Sequence, residues 1–212
     1  MSLFLTFVAS LMLGMRHATD PDHIVAVTTI VMRERSLLKS AGVGAIWGVG
    51  HTLTLLIVGG AIIAFKVALN ARVGLSLELC VAIMLIVLGL LNLFNIGSGR
   101  HSLNPARPFL VGVVHGLAGS AAAALLIVPL IDDARLAALY LLTFGLGTIV
   151  GMTIVTIAIA APSILAASRV HGFERGLRIA SGAVSLLFGV YLAHKVGFTN
   201  GLFSSSPDWS PR

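Results

Sequence analysis

Gly14-Met-Arg-His-Ala-Thr-Asp-Pro-Asp-His-Ile-Val-Ala-Val27 sets two histidines, two aspartates, an arginine and a proline into an otherwise apolar run. The sequence around it is more apolar still. Of the 212 residues, 57% are hydrophobic and 10% charged, and the mean hydropathy is +1.01. A soluble domain carries about 25% charged residues. Several runs approach or exceed the roughly 20 apolar residues that cross a bilayer. The chain therefore reads as an all-α, polytopic membrane protein. In that setting ionisable side chains are costly, and a cluster of them marks a functional site with partners.

Charge excludes one class of function. The net charge of +6 comes from basic residues scattered in short loops, without the clustered patch that nucleic-acid binding needs. The lone cysteine, Cys80, rules out an internal disulfide or a multi-cysteine metal site and reads as packing or lipid-facing. The first apolar segment, SLFLTFVASLMLG, lacks the basic start and cleavage site of a signal peptide and is expected to be retained.

Polar breaks divide the chain into six candidate spans: residues 3–32 (interrupted at Asp20-Pro21), 42–65, 75–96, 109–131, 136–160 and 173–196. The two halves echo one another. Gly14-Met-Arg-His17 has a counterpart in Gly112-Val-Val-His115, 98 residues on. Trp47-Gly-Val-Gly50 matches Phe144-Gly-Leu-Gly147 after 97 residues, and Leu88-Gly-Leu-Leu91 matches Phe188-Gly-Val-Tyr191 after 100. The organisation expected is a first repeat over 1–98, a second over 99–198, and a disordered polar tail over 199–212. Three spans per repeat would place the halves in opposite orientations, the inverted plan of many secondary transporters. One side's loops carry Arg33, Arg35, Lys39, Arg100, Arg107, Arg169, Arg175 and Arg178, the other Lys66, Arg72, Arg135, Lys195 and Arg212. The richer side is expected in the cytoplasm, with both termini outside.

Within the motif, Asp20-Pro21-Asp22-His23 has the form of a helix start. Asp20 can cap, Pro21 fits the first helical position, and Asp22 falls where the dipole favours an anion. Pro21 has no N–H for the His17 carbonyl, so that oxygen is expected to be free. The first span is thus predicted to be two half-helices, tolerated in a membrane only where the exposed backbone lines a cavity or is buried in protein. On one continuous helix, Asp22 and His23 would point away from His17. With the chain unwound between them, both imidazoles and the Asp22 carboxylate can converge on one ion. Imidazole and carboxylate together suit a divalent transition metal.

His51, flanked by Gly48 and Gly50, is the next candidate ligand, the alternative being a hydrogen-bonded interhelical histidine. His115 has the right repeat position but brings no acidic residue, and is open between ligand and packing. Asp20 reads first as a cap and second as a ligand. Arg16 is expected to pair with Asp20, Asp22 or a carbonyl. Thr52, Thr54 and Ser120 can supply hydrogen bonds that orient ligands, although hydroxyls in membrane helices mostly bond their own backbone. Gly116, Gly119 and Ser120 occupy the second-half counterpart of the break. The expected metal ligands are His17, Asp22, His23 and His51, with Asp20, His115 and Ser120 as further candidates.

At this point the sequence resembles a known family. His17-Ala-Thr-Asp-Pro-Asp22-His23 fits the HX4DH signature of the nickel/cobalt transporter (NiCoT) family, and Gly50-His51-Thr52 is similar to that family's second motif. The detailed resemblance covers residues 13 to 55. The family usually carries HX4DH in the second of eight spans; here it falls in the first. The later spans lack the family's acidic motif, and HGLAGSAAAALL looks more like transmembrane proteins grouped with urease accessory factors.

The resemblance implies a secondary transporter of Ni²⁺ or Co²⁺ in the plasma (inner) membrane of a prokaryote, the ion being its substrate and no cofactor being required. No phosphate-binding loop is present for ATP hydrolysis. A membrane accessory or metal-sensing protein serving nickel-enzyme maturation is the main alternative, with maturation proteins as its partners. An intramembrane metal-dependent hydrolase is the other, and the lack of HExxH speaks against it. The reading is therefore of a protein that is not an enzyme. Its partners are a divalent metal ion and the lipid bilayer.

Overall fold

The computed structural model describes residues 3–32, 34–65, 70–96, 104–117, 131, 133–167 and 173–209. Among these the chain is all-helical: α1 (Leu3–His17), α2 (Pro21–Val31), α3 (Leu37–Phe65), α4 (Ala71–Leu93), α5 (Ala106–Gly116), α6 (Ala134–Ala167) and α7 (Phe173–His194), with a π-helical turn over Lys195–Thr199. Short polar residues start several of them. Asn70 Oδ1 accepts from the Arg72 amide at 3.0 Å ahead of α4, Asn104 Oδ1 from Ala106 at 3.0 Å ahead of α5, and Asp133 Oδ1 from Arg135 at 2.8 Å ahead of α6. Each satisfies a backbone donor that a helix start leaves without an intrahelical acceptor.

Among the described residues, four helices are long and apolar enough to cross a membrane: Leu37–Phe65, Ala71–Leu93, Ala134–Ala166 and Phe173–Thr199. Their outward faces carry large apolar side chains, among them Leu38 at 83%, Phe65 at 76% and Leu187 at 70% exposure. Apolar surface on this scale belongs against lipid, so the chain is a membrane protein. Cys80 is on that exposed surface. The expected first span is present as two shorter apolar helices, α1 and α2, which meet across residues 18–20. The expected span over 109–131 is described only as α5, because residues 118–130 lie outside the described residues, Gly119 and Ser120 among them.

The helices are held together by pairwise crossings. The α3–α6, α4–α7, α1–α6 and α3–α5 pairs pack most extensively, while α2 sits among α7, α6, α4 and α3. Glycines set the closest approaches. A Cβ on Gly14 would meet the Phe144 carbonyl and Thr148 amide of α6; one on Gly112 would meet the Trp47 carbonyl and His51 amide of α3. Phe144 and Thr148 stand 97 residues beyond Trp47 and His51, and Gly112 stands 98 beyond Gly14. At the α4–α7 crossing, Gly89 faces the Gly182 carbonyl and Leu186 amide, and Gly189 faces the Ala82 carbonyl and Ile86 amide, each counterpart 100 residues on. Such small-residue contacts bring backbones close enough for dispersion to hold helices where lipid removes the hydrophobic drive.

Hydroxyl and amide side chains tie the same crossings. Ser10 and Thr143 share a hydroxyl contact between α1 and α6. Thr52 Oγ1 donates to the Gly145 carbonyl at 3.1 Å, and Ser185 Oγ to the Leu85 carbonyl at 2.8 Å. Thr54 Oγ1 reaches both its own helix at Gly50 (3.2 Å) and α5 at Val113 (3.1 Å). Asn92 Nδ2 donates to the Thr29 carbonyl near the end of α2 at 2.8 Å.

The segment beyond Phe198, expected to be disordered, crosses back over α4 as far as Trp209. Its indole packs against Gly74 and donates to Glu78 Oε1 at 3.0 Å, and Arg72 reaches the Ser204 carbonyl at 3.2 Å. One aromatic ring seated in a glycine notch gives this polar stretch an anchor that its composition does not display.

Candidate metal centre

The helix break delivers the motif. α1 ends at His17 and α2 begins at Pro21, with Asp20 extended between them at φ −62°, ψ 144°. Two sequence expectations are corrected here. The His17 carbonyl is not free, because the Asp20 amide donates to it at 3.1 Å. Asp20 occupies the capping position, but its side chain makes no capping bond. Its carboxylate instead accepts from His17 Nδ1 at 2.9 Å. A carboxylate holding one ring nitrogen fixes the tautomer and turns the other nitrogen outward, the arrangement common behind metal-binding histidines. Arg16 is exposed; the bonds that hold the two carboxylates come from imidazoles.

His17 Nε2 stands 3.3 Å from His51 Nε2 of α3. Two nitrogens bound to one ion at about 2.0–2.1 Å and near the tetrahedral angle lie about 3.3 Å apart. The His23 ring joins them, its centroid 4.6 Å from His17 and 5.5 Å from His51. One donor atom from each of His17, His23 and His51 lies within 4.8 Å of the others. All three side chains are buried.

Asp22 faces elsewhere. Its Oδ2 accepts from His115 Nε2 at 2.9 Å, and its Oδ1 lies 3.3 Å from His23 Nδ1. Asp22, His23 and His115 form a second group within the same 4.8 Å limit. The sequence expectation that Asp22 would join His17 on one ion thus meets a different geometry, in which the carboxylate is shared between His23 and the last turn of α5. His115, left open in the sequence, is drawn fully into the cluster. Asp20 stands behind His17. Ser120 is outside the described residues, as are His101 and His171.

The donor chemistry suits a divalent transition ion. His23 Nε2, His51 Nδ1 and His115 Nδ1 are buried without hydrogen-bond partners among the described residues. A neutral imidazole has one donor and one acceptor nitrogen, and leaving either unmet in a low-dielectric interior costs about 1–3 kcal/mol. Each such nitrogen in the cluster is a lone pair or N–H group that a bound species can satisfy.

Two aromatic residues missed in the sequence wall the site. Trp47 stacks on His23, with centroids 6.0 Å apart and planes at 19°, and lies 5.6 Å from His115. Phe144 lies 5.5 Å from His17. The pairing of Trp47-Gly-Val-Gly50 with Phe144-Gly-Leu-Gly147 was the signal that could have found them, because the residues heading the two matching segments both border the cluster.

Known proteins bear on this geometry. The chain is 35% identical over 209 residues to the urease accessory protein UreH of Bacillus sp. (strain TB-90), covering 90% of this chain and 91% of that one. It is also 27% identical over 191 residues to the chloroplast protein FOR GROWTH AND FERTILITY 2 of Arabidopsis thaliana, covering 81% of this chain and 51% of that protein. No family model matches, and no solved structure matches. Identity at this level along nearly the whole of both chains settles the relationship: this membrane protein belongs to the family of the urease accessory protein UreH.

Proposed function

We propose that the chain is a secondary transporter that moves Ni²⁺ or Co²⁺ across the membrane through the cluster at the α1–α2 break. The observation that carries this reading is the set of four buried imidazoles, His17, His23, His51 and His115, with the half-buried Asp22, assembled from four helices of a membrane protein. A structural metal site would need only to be closed. This one is built at a helix break inside the membrane protein, the setting in which transporters place coupling and substrate sites. The relationship to a urease accessory protein favours nickel, the metal of urease, and the HX4DH resemblance favours the same pair of ions.

The architecture that goes with this function is six spans in two inverted repeats, 1–98 and 99–198. The reciprocal glycine contacts support it: Gly14 meets α6 through the same backbone groups by which Gly112 meets α3, at nearly one sequence offset. Alternating access would then rock one half against the other about the cluster. Two positive charges crossing 100 mV gain about 4.6 kcal/mol, enough to drive uptake without ATP. We place the protein in a prokaryotic plasma membrane with both termini outside, on the distribution of its arginines and lysines. No catalytic step and no resident cofactor belong to this reading.

An accessory protein for nickel-enzyme maturation, with maturation proteins as partners, is the second reading, favoured by the relationship to the urease accessory protein of Bacillus. Purified full-length protein in liposomes with an entrapped metal-sensitive dye separates the two. Transport predicts a dye signal with external Ni²⁺ or Co²⁺ and none with Ca²⁺ or Mg²⁺. Saturable binding with no signal would replace transport by the accessory role.

A further inference from the structure

The two donor groups overlap at one residue. His17, His23 and His51 make one; Asp22, His23 and His115 make the other; among the described residues the five do not close into a single group of that size. We propose that the cluster is two stations for a divalent ion rather than one, and that the ion passes between them while His23 stays bound. This rests on the reading of the cluster as the site of the transported ion.

The argument begins with position. The His23 centroid is 4.6 Å from His17 on one side and 4.2 Å from His115 on the other, while His51 and His115 are 6.5 Å apart. His23 is therefore the only imidazole among them that both groups contain. His23 sits near the start of α2, a short helix that follows α1 across the break at residues 18–20 and packs on four other helices. A ligand on such an element can follow an ion that its neighbours release.

The two stations also differ in chemistry. The first offers three neutral imidazoles; the second replaces two of them with a carboxylate and the imidazole of α5. The facing atoms are His17 Nε2 and His51 Nε2, 3.3 Å apart, in the first, and His115 Nε2 and Asp22 Oδ2, 2.9 Å apart, in the second. An ion at the second station would take the place of the hydrogen bonds that His115 Nε2 and His23 Nδ1 make with Asp22, each ring then carrying its proton on the other nitrogen. Transfer from the first to the second exchanges His17 and His51 for Asp22 and His115. It is a change of coordination only, with no oxidation and no group transferred. The elements involved give it a direction in the fold: from the α1–α3 side of the cluster to α5. A single deep site would bind more tightly but release more slowly, whereas overlapping sites let an ion leave by partial exchange, as conduction through channels requires.

Co²⁺ tests this, because its visible spectrum reports the ligand set. Full-length protein in detergent is titrated with Co²⁺ as wild type, His51→Gln, His115→Gln and His23→Ala, and the same proteins are assayed for Co²⁺ flux in liposomes. Glutamine keeps a hydrogen-bonding side chain of moderate size at each site, and elution as a single species in gel filtration confirms folding. Wild type, His51→Gln and His115→Gln should each bind one ion. The two glutamine variants should give different spectra, the His115 variant from nitrogen ligands and the His51 variant from a set with a carboxylate. Their flux should fall at least about 10-fold although binding persists, and His23→Ala should lose binding by at least about 100-fold, beyond the range for residues behind a ligand. Wild-type flux by His115→Gln, identical spectra for the two variants, or loss of binding in His51→Gln would each overturn the two stations and leave a single site. Wild-type protein that binds no Co²⁺ and passes none would instead overturn the transport reading beneath it.

Discussion

The α1–α6 and α3–α5 crossings are built from the same backbone contacts but carry different chemistry. In each, a glycine near the end of a helix leading to the cluster, Gly14 or Gly112, abuts the carbonyl of an aromatic residue, Phe144 or Trp47, on the longer helix. One turn on, the longer helices diverge: α3 presents His51 to the site, while α6 presents Thr148, whose hydroxyl donates to its own helix at Phe144. The helix ends diverge as well. His17 has Asp20 three residues on at 2.9 Å, whereas His115 borrows Asp22 from the first turn of α2. Packing needs only small residues at the right places, so it can be kept in both halves. Ionisable groups in a membrane interior must be paired, and here both carboxylates come from the break at residues 18–20 and the first turn of α2 that follows it. The chemistry is therefore shared out from one half to both.

Removing the shared residue is expected to have the largest effect. His23→Ala takes away the imidazole common to both donor groups and should weaken Ni²⁺ or Co²⁺ binding by at least about 100-fold, measured by equilibrium dialysis. Binding within a few-fold of wild type would show that the two donor groups do not meet at His23. Asp20→Ala should act through His17 alone. In a His115→Gln background, where only the His17 side of the cluster is complete, it should lower affinity by about 10- to 100-fold, the usual cost of losing a group that orients a ligand. An unchanged affinity there would reduce Asp20 to a backbone position.

The sequence showed the ionisable residues because a bilayer makes each one expensive, so His17, Asp22, His23 and His51 stood out from an apolar ground. It did not show which way they face. Asp22 reads equally well as a partner of His17 or of something distant, and only the approach of α5 turns it to His115. Asp20 misled for a related reason: the same short carboxylate that caps a helix can hold an imidazole three residues back, and local pattern does not choose between them. Trp47 and Phe144 did not stand out as site residues because aromatic residues in apolar runs are ordinary, and only the match between the segments they head marked them. All-helical structure and the break at Asp20-Pro21 were legible from hydropathy and from the fixed backbone of proline; the dock of Trp209 on Gly74 was not, since it depends on one long-range contact.

The glycine pair gives a more even test of the two crossings. Gly14→Val and Gly112→Val each place a side chain against a backbone carbonyl that cannot move away. Each should destabilise the protein by about 1–3 kcal/mol, the range for overpacking a close contact, read as a lowered unfolding temperature in detergent. Similar losses at both positions would sharpen the likeness between the crossings. A loss at one position only would mean that the two approaches are not equivalent in energy, however alike their contacts.

The smallest effect should come from a contact that joins the halves without touching either crossing. Arg35, in the link between α2 and α3, pairs with Glu174 at the start of α7 at 2.7 Å. Their side chains are 79% and 49% exposed, so water screens the attraction and two flexible chains must be ordered to make it. Exposed pairs of this kind contribute about 0.2–1 kcal/mol. Arg35→Ala should therefore shift stability by less than about 1 kcal/mol at moderate salt, and less again as salt rises. Its effect should be well below that of either glycine variant. If Arg35→Ala instead matched Gly14→Val, the halves would be held at this surface pair as firmly as at their buried crossings. The same comparison in liposomes then asks whether the pair acts on movement: flux that rises or falls in Arg35→Ala without a change in unfolding temperature would place the contact in the transport cycle and not in the stability of the fold.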